Sequence, residues 1–480
     1  MARINTNVGS LVAQTQLGRA QGSLSQALQR LSSGLRINSG ADDPAGLIAS
    51  ESLRSEIQGV TTAIDNSQRA TNIISTAEGA LSEVSNLLVS MKALAVQAAN
   101  TGAMSPDEIK ANQLQIDSAV QSITRISNVT NFAGLNLLNG SMDYTMSGVV
   151  NSQLGSVHVY NAQFGSATNI PVNLQVVQSA RPAELVWATS NVGPASASIS
   201  VRGDKGVESF TFAPTTKAGI VMSAINGSKD ATGVSAAWAD SAGNSAAGLV
   251  FYSTDWGSDS LVSVQTLNNG NFGTTNRVGA PAEQTHGQDV AATINGSYVR
   301  GQGLDLSLNS TYLSMDLSLA PRFAAAANHS SFAITGGGAM FQLGPHISMS
   351  EQRSFGIQSV AATQLGNNTV GFLSQITMDG QYNLSYNKAQ NASDIIDEAI
   401  SQVAALRGRM GAFEKNTLQT NMNSLQVAQE NLTASESSIR DADFAAETSN
   451  LTRAQVLSSA ATSVLAIANQ TPQNVLKLLQ

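Results

Sequence analysis

Leu17, Leu24, Leu28, Leu31 and Leu35 recur at spacings of seven, four, three and four residues, the apolar seam of a helix in a coiled coil, with Gln21 interrupting it at one seam position. The run LSSGLRINSGADDPAG, Leu31 to Gly46, then turns glycine-rich and ends this helix between Gly34 and Gly40. Asp43 predicts an N-cap and Pro44 the first position of a second helix, with Asp42 beside them in the connecting spoke. Along that helix Leu53, Ile57, Val60 and Ile64 form one seam. Ile74, Ala77, Leu81, Val84, Leu88, Met91, Ala95 and Ala98 form the next, after a register change across Ser67 to Asn72. If continuous to Asn100 it spans roughly 85 Å at 1.5 Å per residue, a rod by the standard of ordinary helices. Ser105-Pro106-Asp107-Glu108 reads as a capping box opening a third helix, with Ile109, Ile116, Ala119, Ile123 and Ile126 on one face, returning antiparallel to the second.

From Ser141 the period drops to two. Val172, Leu174 and Val176, then Phe210 and Phe212, then Leu304, Leu306 and Leu308 alternate as half-buried strands, and Asn295-Gly296 is a hairpin turn between β-formers. A short helix is predicted near Thr216 to Asn226. All three tryptophans, Trp187, Trp238 and Trp256, fall in this stretch and give it a core of its own. Helical spacing returns near Ala389, with Ser393 as the expected cap. Ile396, Ala399, Val403, Leu406, Met410 and Phe413 form a seam that resumes, after a shift, at Leu418, Met422, Leu425, Ala428, Leu432 and Ile439. A last helix from about Asp443 carries Leu451, Leu457, Ala461, Val464 and Ala468. Pro472 is expected to break it before the apolar tail of Leu476, Leu478 and Leu479.

These patterns predict an α+β protein: a long antiparallel helical rod and coiled coil built from both chain ends, with a mostly β outer domain inserted. The length of 480 residues fits about two to four domains. The outermost segments each carry about ten large apolar side chains, and burying these returns less than ordering about 35 residues costs, so they need neighbours. Many copies packed side by side would supply the burial, and heterologous contacts that do not close build a helical filament. Periodicity alone also admits an autonomous antiparallel helical bundle with a β insert.

Charged residues are only 12% of the chain and the net charge is −8, which argues against a nucleic-acid or anionic-membrane partner, since either would want a basic face. Without cysteine there are no disulfides, thiol chemistry or cysteine-ligated metals. No apolar run reaches the roughly 18 residues of a membrane span, and MARINTNVGSLVAQTQ lacks the apolar core of a secretory signal, so an extracellular destination requires another export route. His158, His286, His329 and His346 stand apart without metal-ligand spacing, and Gly336-Gly337-Gly338 lacks the lysine of a phosphate loop. No catalytic constellation, cofactor or metal site is expected; Asp42, Asp43, Asp441 and Asp443 read as helix-start residues.

The boundary sequences carry a specific resemblance. Leu31 to Gly46, the tail IRDADFAAETSNLTRAQVLSSAATSVLAIANQTPQNVLKLL, and NFAGLNLLNG at Asn131 to Gly140 closely resemble bacterial flagellin. GQDVAATINGSYVRGQG, Gly287 to Gly303, more weakly resembles a module in the variable part of some flagellins. The resemblance implies a non-enzymatic subunit that self-assembles into the flagellar filament for swimming. It would be exported without a cleaved signal through the flagellar type III channel, and its partners would be further copies, the cap, hook-filament junction proteins and an export chaperone. It divides the chain into an inner-tube segment and spoke at 1–42, a helical rod at 43–140 completed by 341–440, an outer domain at 141–340 and a C-terminal inner-tube helix at 441–480. Leu94-Ala95-Val96-Gln97 matches the core of the family's innate-receptor site, while Ser90 and Leu114 stand where stimulatory members carry arginine and glutamate, removing a charged anchor; subunit packing is the simpler role for Leu94, Val96 and Gln97. Two rival readings are a hook-filament junction protein and an outer domain with an added adhesive, glycan-binding role.

Overall fold

The computed structural model describes residues 6–165, 167–240, 248–268, 272–310, 312–384 and 388–478, the stretch 471–478 as backbone only. Two compact units divide the chain: one takes in the residues up to 70, 342–351 and those from 415 onward, the other residues 71–341 and 352–414.

In the first unit, α1 (Val8–Ser33) ends at Gly34, whose left-handed φ of 73° and N–H to the Arg30 carbonyl close the helix. Helix α2 (Pro44–Ala98) runs unbroken for 55 residues. Its portion in this unit buries Val60, Ala63 and Ser67, and Ser67 returns its hydroxyl to the Ala63 carbonyl at 2.9 Å. A Cβ on Gly59 would sit 3.0 Å from Pro345, so the absence of a side chain admits the 342–351 loop against the helix. The Gln429 amide donates to Thr61 at 2.8 Å and Arg440 pairs with Glu51 at 3.1 Å.

In the second unit, every residue of the seam from Ile74 to Ala98 is buried, and side-chain contacts tie this stretch to α3 (Pro106–Val129) through Asn112 and Gln97 and to the later helix α5 (Ala389–Phe413) through Arg407 and Glu78 at 3.0 Å. The Ser105–Glu108 capping box opens α3 as the spacing predicts. Buried Gln113 spends both ends of its amide on other segments, donating to the Ile376 carbonyl and accepting from Leu384 N–H, each at 2.8 Å. Ser393 is no cap: it lies inside α5, buried, where the Lys92 ammonium contacts both it and Asp397.

The middle stretch holds two hydrophobic cores where the sequence pattern suggests one. Helix α4 (Ala218–Gly227) belongs to the outer of them. The inner module pairs a five-stranded sheet, in spatial order 297–300, 291–294, 170–178, 329–337 and 144–147, with a three-stranded sheet of 305–309, 313–319 and 154–162. Val172, Leu174 and Val176 point into its core, and the Asn295-Gly296 turn carries positive φ at both residues, the hairpin geometry expected of that pair. The outer module is built from strands between Pro182 and His286. Trp187 stacks on Phe272 at 4.3 Å in its core and Trp238 packs beside them, whereas Trp256 packs against the inner module. Arg181 and Gln288 exchange backbone hydrogen bonds at 2.8 and 2.9 Å, so the chain enters and leaves the outer module through one antiparallel pair. Beside it, Asp289 is 8% exposed and accepts from Ser258 N–H, the Ser258 hydroxyl and Gly303 N–H. Burial raises its carboxyl, but those three hydrogen bonds outweigh it and leave the group below its ordinary value.

The shift in the C-terminal seam is a π-helical turn at Glu414–Gln419, one extra residue per turn, joining α5 to α6 (Thr420–Arg440). The last helix, α7 (Phe444–Leu478), continues past Pro472 instead of breaking there.

Candidate functional site

Helix α1 lies antiparallel against α7, with Asn7 beside Ala468 and Arg30 beside Glu447. The shared seam is made of small residues. On α1, Ala13, Ala20 and Ala27 are buried at heptad spacing, and Leu17, Leu24 and Leu31, each four residues further on, are half-buried. Ala20 therefore holds the seam position that leucine spacing assigns to Gln21, which is exposed. On α7 the facing residues are Glu447, Leu451, Ala454, Ser458, Ala461, Leu465 and Ala468, alternating four and three apart. Leu28, Leu457 and Val464 lie off this seam, 49%, 53% and 55% exposed. With Val8, Leu11, Val12, Val456 and Ile467 they leave the pair apolar on its outer surfaces as well as inside. Leu35 is half-buried in the spoke; Leu476 and Leu478 lie on the α7 backbone, and Leu479 lies outside the described residues.

The spoke binds the two chain ends together. Leu35 forms a β-bridge with Asp441, Arg36 N–H donates to the Arg440 carbonyl at 2.7 Å and Ala442 N–H to the Gly34 carbonyl at 2.9 Å. Asp42 accepts from Asn38 N–H, Ser39 N–H, the Ser39 hydroxyl and Gln26, which hold its carboxyl below the usual range, led by the Ser39 backbone bond. Asp43 caps α2 through Gly46 N–H at 2.9 Å, and Pro44 occupies the first helical position. A Cβ on Gly46 would come within 2.5 Å of the Asp43 carboxylate and 2.6 Å of Ile37, so a side chain there would have to push aside the capping carboxylate or Ile37. Asp443 caps α7 by accepting from Ala445 and Ala446 N–H. Arg30 stands 4.0 Å from both Asp42 and Glu447, joining α1, spoke and α7.

Leucine spacing does not reveal the alanine seam, Glu447 or Arg30; the sevenfold repeat of Ala13, Ala20 and Ala27 is the signal that does. In the other unit Leu94 is half-buried, Gln97 is exposed and accepts from Asn112 at 3.4 Å, and Val96 and Leu114 are 58% and 54% exposed; Ser90 returns its hydroxyl to Asn86. Among the described residues no group of three or more His, Asp or Glu is placed to hold a metal, and no helix is long and apolar enough to cross a membrane.

Residues 4–143 match the bacterial flagellin N-terminal helical region, and residues 393–479 match the bacterial flagellin C-terminal helical region. The chain is 30% identical over 524 residues to the flagellin of Salmonella choleraesuis, an alignment that takes in 99% of each chain. It belongs to the bacterial flagellin family. Flagellin A of Vibrio cholerae is likewise 30% identical, over 481 residues and 99% of each chain. Among solved structures, the flagellar hook associated protein-3 of Legionella pneumophila aligns at a TM-score of 0.30 and 14% identity, over 80% of this chain and 97% of that one. This flagellin is a structural subunit of the flagellar filament. The two flagellin matches end at 143 and resume at 393, so both β modules lie outside them.

Proposed function

We propose that the subunit self-assembles into a helical filament for swimming, and that α1 and α7 of many copies form its innermost tube. The observation that carries this reading is the pair's shape: an alanine-sized interior, with Val8, Leu11, Val12, Val456, Leu457, Val464 and Ile467 facing outward. A two-helix unit with so little interior gains its burial from neighbours, so the terminal segments order as copies associate. Segments that order only then also suit unfolded export through the type III channel. The cap, hook-filament junction proteins and an export chaperone are the further partners on this reading, and Leu94, Val96 and Gln97 form a packing patch between subunits.

Purified protein seeded with filament fragments tests it. The intact chain should elongate the seeds, a chain lacking residues 1–35 should not, and polymerisation by the truncated chain would overturn the role of α1. Replacing Leu476, Leu478 and Leu479 by Asp should block elongation while the remaining helices stay folded by circular dichroism; normal filaments from that variant would refute the inner-tube placement.

A further inference from the structure

A groove of about 650 Å³ runs along the α1–α7 pair, with apolar walls that include Val12, Leu457 and Val464. Three arginines line it, Arg19, Arg30 and Arg453, against one carboxylate, Glu447. Arg30 is placed between Asp42 and Glu447, but among the described residues Arg19 and Arg453 have neither an ion pair nor a hydrogen bond. A cationic groove in a chain of net charge −8 is a local reversal of sign.

The complementary charge sits on the same unit, in the spoke. Asp42 and Asp43 lie at the end of its first leg and Asp441 and Asp443 along its second, the two legs being joined by the bridge between Leu35 and Asp441. Among the described residues the Asp441 carboxylate accepts only from the Ser437 hydroxyl and that of Asp443 only from N–H groups of α7, so neither charge is taken up by a cation. The spoke's own cations are committed elsewhere: Arg36 donates to the Ile439 carbonyl, and Arg440 faces Glu51 and Glu436. Within one copy Gln26 and Arg30, at one end of the groove, reach Asp42 of the spoke, but Arg19 and Arg453 are too far along it to reach Asp441 or Asp443. Along α1, Arg19 lies roughly 22 Å from Gly34, and along α7 Arg453 lies roughly 15 Å from Asp443, at about 1.5 Å per residue. Both gaps exceed the reach of a side chain. A second copy displaced along the helix axis by roughly 15–22 Å would close them.

We propose that the groove docks the acidic spoke of a second copy of this chain, with Arg19 and Arg453 facing the carboxylates of Asp441 and Asp443 across a heterologous contact. This inference rests on the assembly reading above and adds to it a partner surface, a sign and an axial offset. Such a contact fixes register and suppresses wrong pairings more than it adds affinity. The charges steer neighbours into one offset, and the apolar stripes then bury.

Charge reversal tests it in the full-length protein. Arg19→Glu with Arg453→Glu should raise the critical concentration for seeded growth roughly tenfold or more. Asp441→Lys with Asp443→Asn, the asparagine retaining the α7 cap, should do the same. An equimolar mixture of the two variants should polymerise where neither does alone, because each groove then faces a complementary spoke. Circular dichroism confirms that each variant is folded. Normal growth of either variant alone, or failure of the mixture while both remain folded, overturns the pairing. Failure of the unmodified chain to elongate seeds would instead overturn the assembly reading itself.

Discussion

The side-chain amide of Asn7 donates to the backbone carbonyl of Ala468 at 2.7 Å, across 461 residues of chain. That carbonyl lies four residues before Pro472, whose nitrogen has no hydrogen to give it. Asn7 also accepts from Ser10 N–H at 3.0 Å, capping α1. One side chain thus starts one helix and repairs the gap in another.

Asn7→Asp should keep the cap and lose the amide, weakening the pair by about 0.5–1.5 kcal/mol, while Asn7→Ala should cost about 1 kcal/mol more. In a Pro472→Ala background, where the helix supplies its own donor, the cost of Asn7→Asp should vanish. Thermal melting of assembled filaments reads the cycle; an unchanged cost in the alanine background would show that the amide serves another purpose.

The alanine seam makes a second prediction. Ala20 is 8% exposed and faces α7, so Ala20→Leu should force the helices apart at a cost of about 1–3 kcal/mol, although leucine is the better residue for an isolated seam. Gln21→Leu, on the exposed side, should cost little. Critical concentrations for seeded growth separate the two.

The contrast between Ala20 and Gln21 marks the limit of reading this fold from spacing. The α2 seam from Ile74 to Ala98 was legible because large side chains repeat there with no competing stripe. In α1 the leucines outweigh the alanines by eye, yet close approach of two thin helices selects the alanines. The π turn was foreshadowed by the shift between Phe413 and Leu418, since one added residue is what a slipped seam requires. Continuity through Pro472 could not be read locally, because its compensation comes from Asn7. The division of the middle stretch into two cores was hidden for another reason: alternation tells which residues face inward but not which sheet they face. The capping role of Asp43 was legible, because the aspartate and proline that make it are neighbours in sequence, whereas Arg30 acquires its role only when Asp42 and Glu447 are brought beside it.

Asp143 supplies a pH test. Burial raises its carboxyl from 3.8 to about 6, and only the N–H of Tyr144 opposes that. A group whose folded value lies above its unfolded one contributes stability that is complete below about pH 4 and is lost as pH rises through about 6. Asp143→Asn should remove that slope and stabilise the unit holding it at neutral pH by about 1–3 kcal/mol. Calorimetric melting from pH 3.5 to 7 decides it, and a parallel slope in the variant would show that another group carries the effect.

Asp289→Ala should strand Ser258 N–H and Gly303 N–H beside the outer module, at a cost of about 1–3 kcal/mol for the buried donors. The loosened junction should cleave faster near Arg181 under limited proteolysis, with the fluorescence of Trp187 in the outer core unchanged. Equal loss of the tryptophan signal would mean that Asp289 holds the module's own fold.

The exchange of hydrogen bonds between Arg181 and Gln288 has a consequence for how this chain can vary. Seen from the inner module, more than a hundred residues occupy the place of a hairpin loop, and loop closure grows only slowly with length. Whatever replaces the stretch from Pro182 to Gly287, from a two-residue turn to a foreign domain with adjacent ends, meets the same two-residue doorway. A replacement keeps that doorway but forgoes what the present module adds beside it, the packing of Trp256 on the inner core and the hydrogen bonds of Ser258 to Asp289.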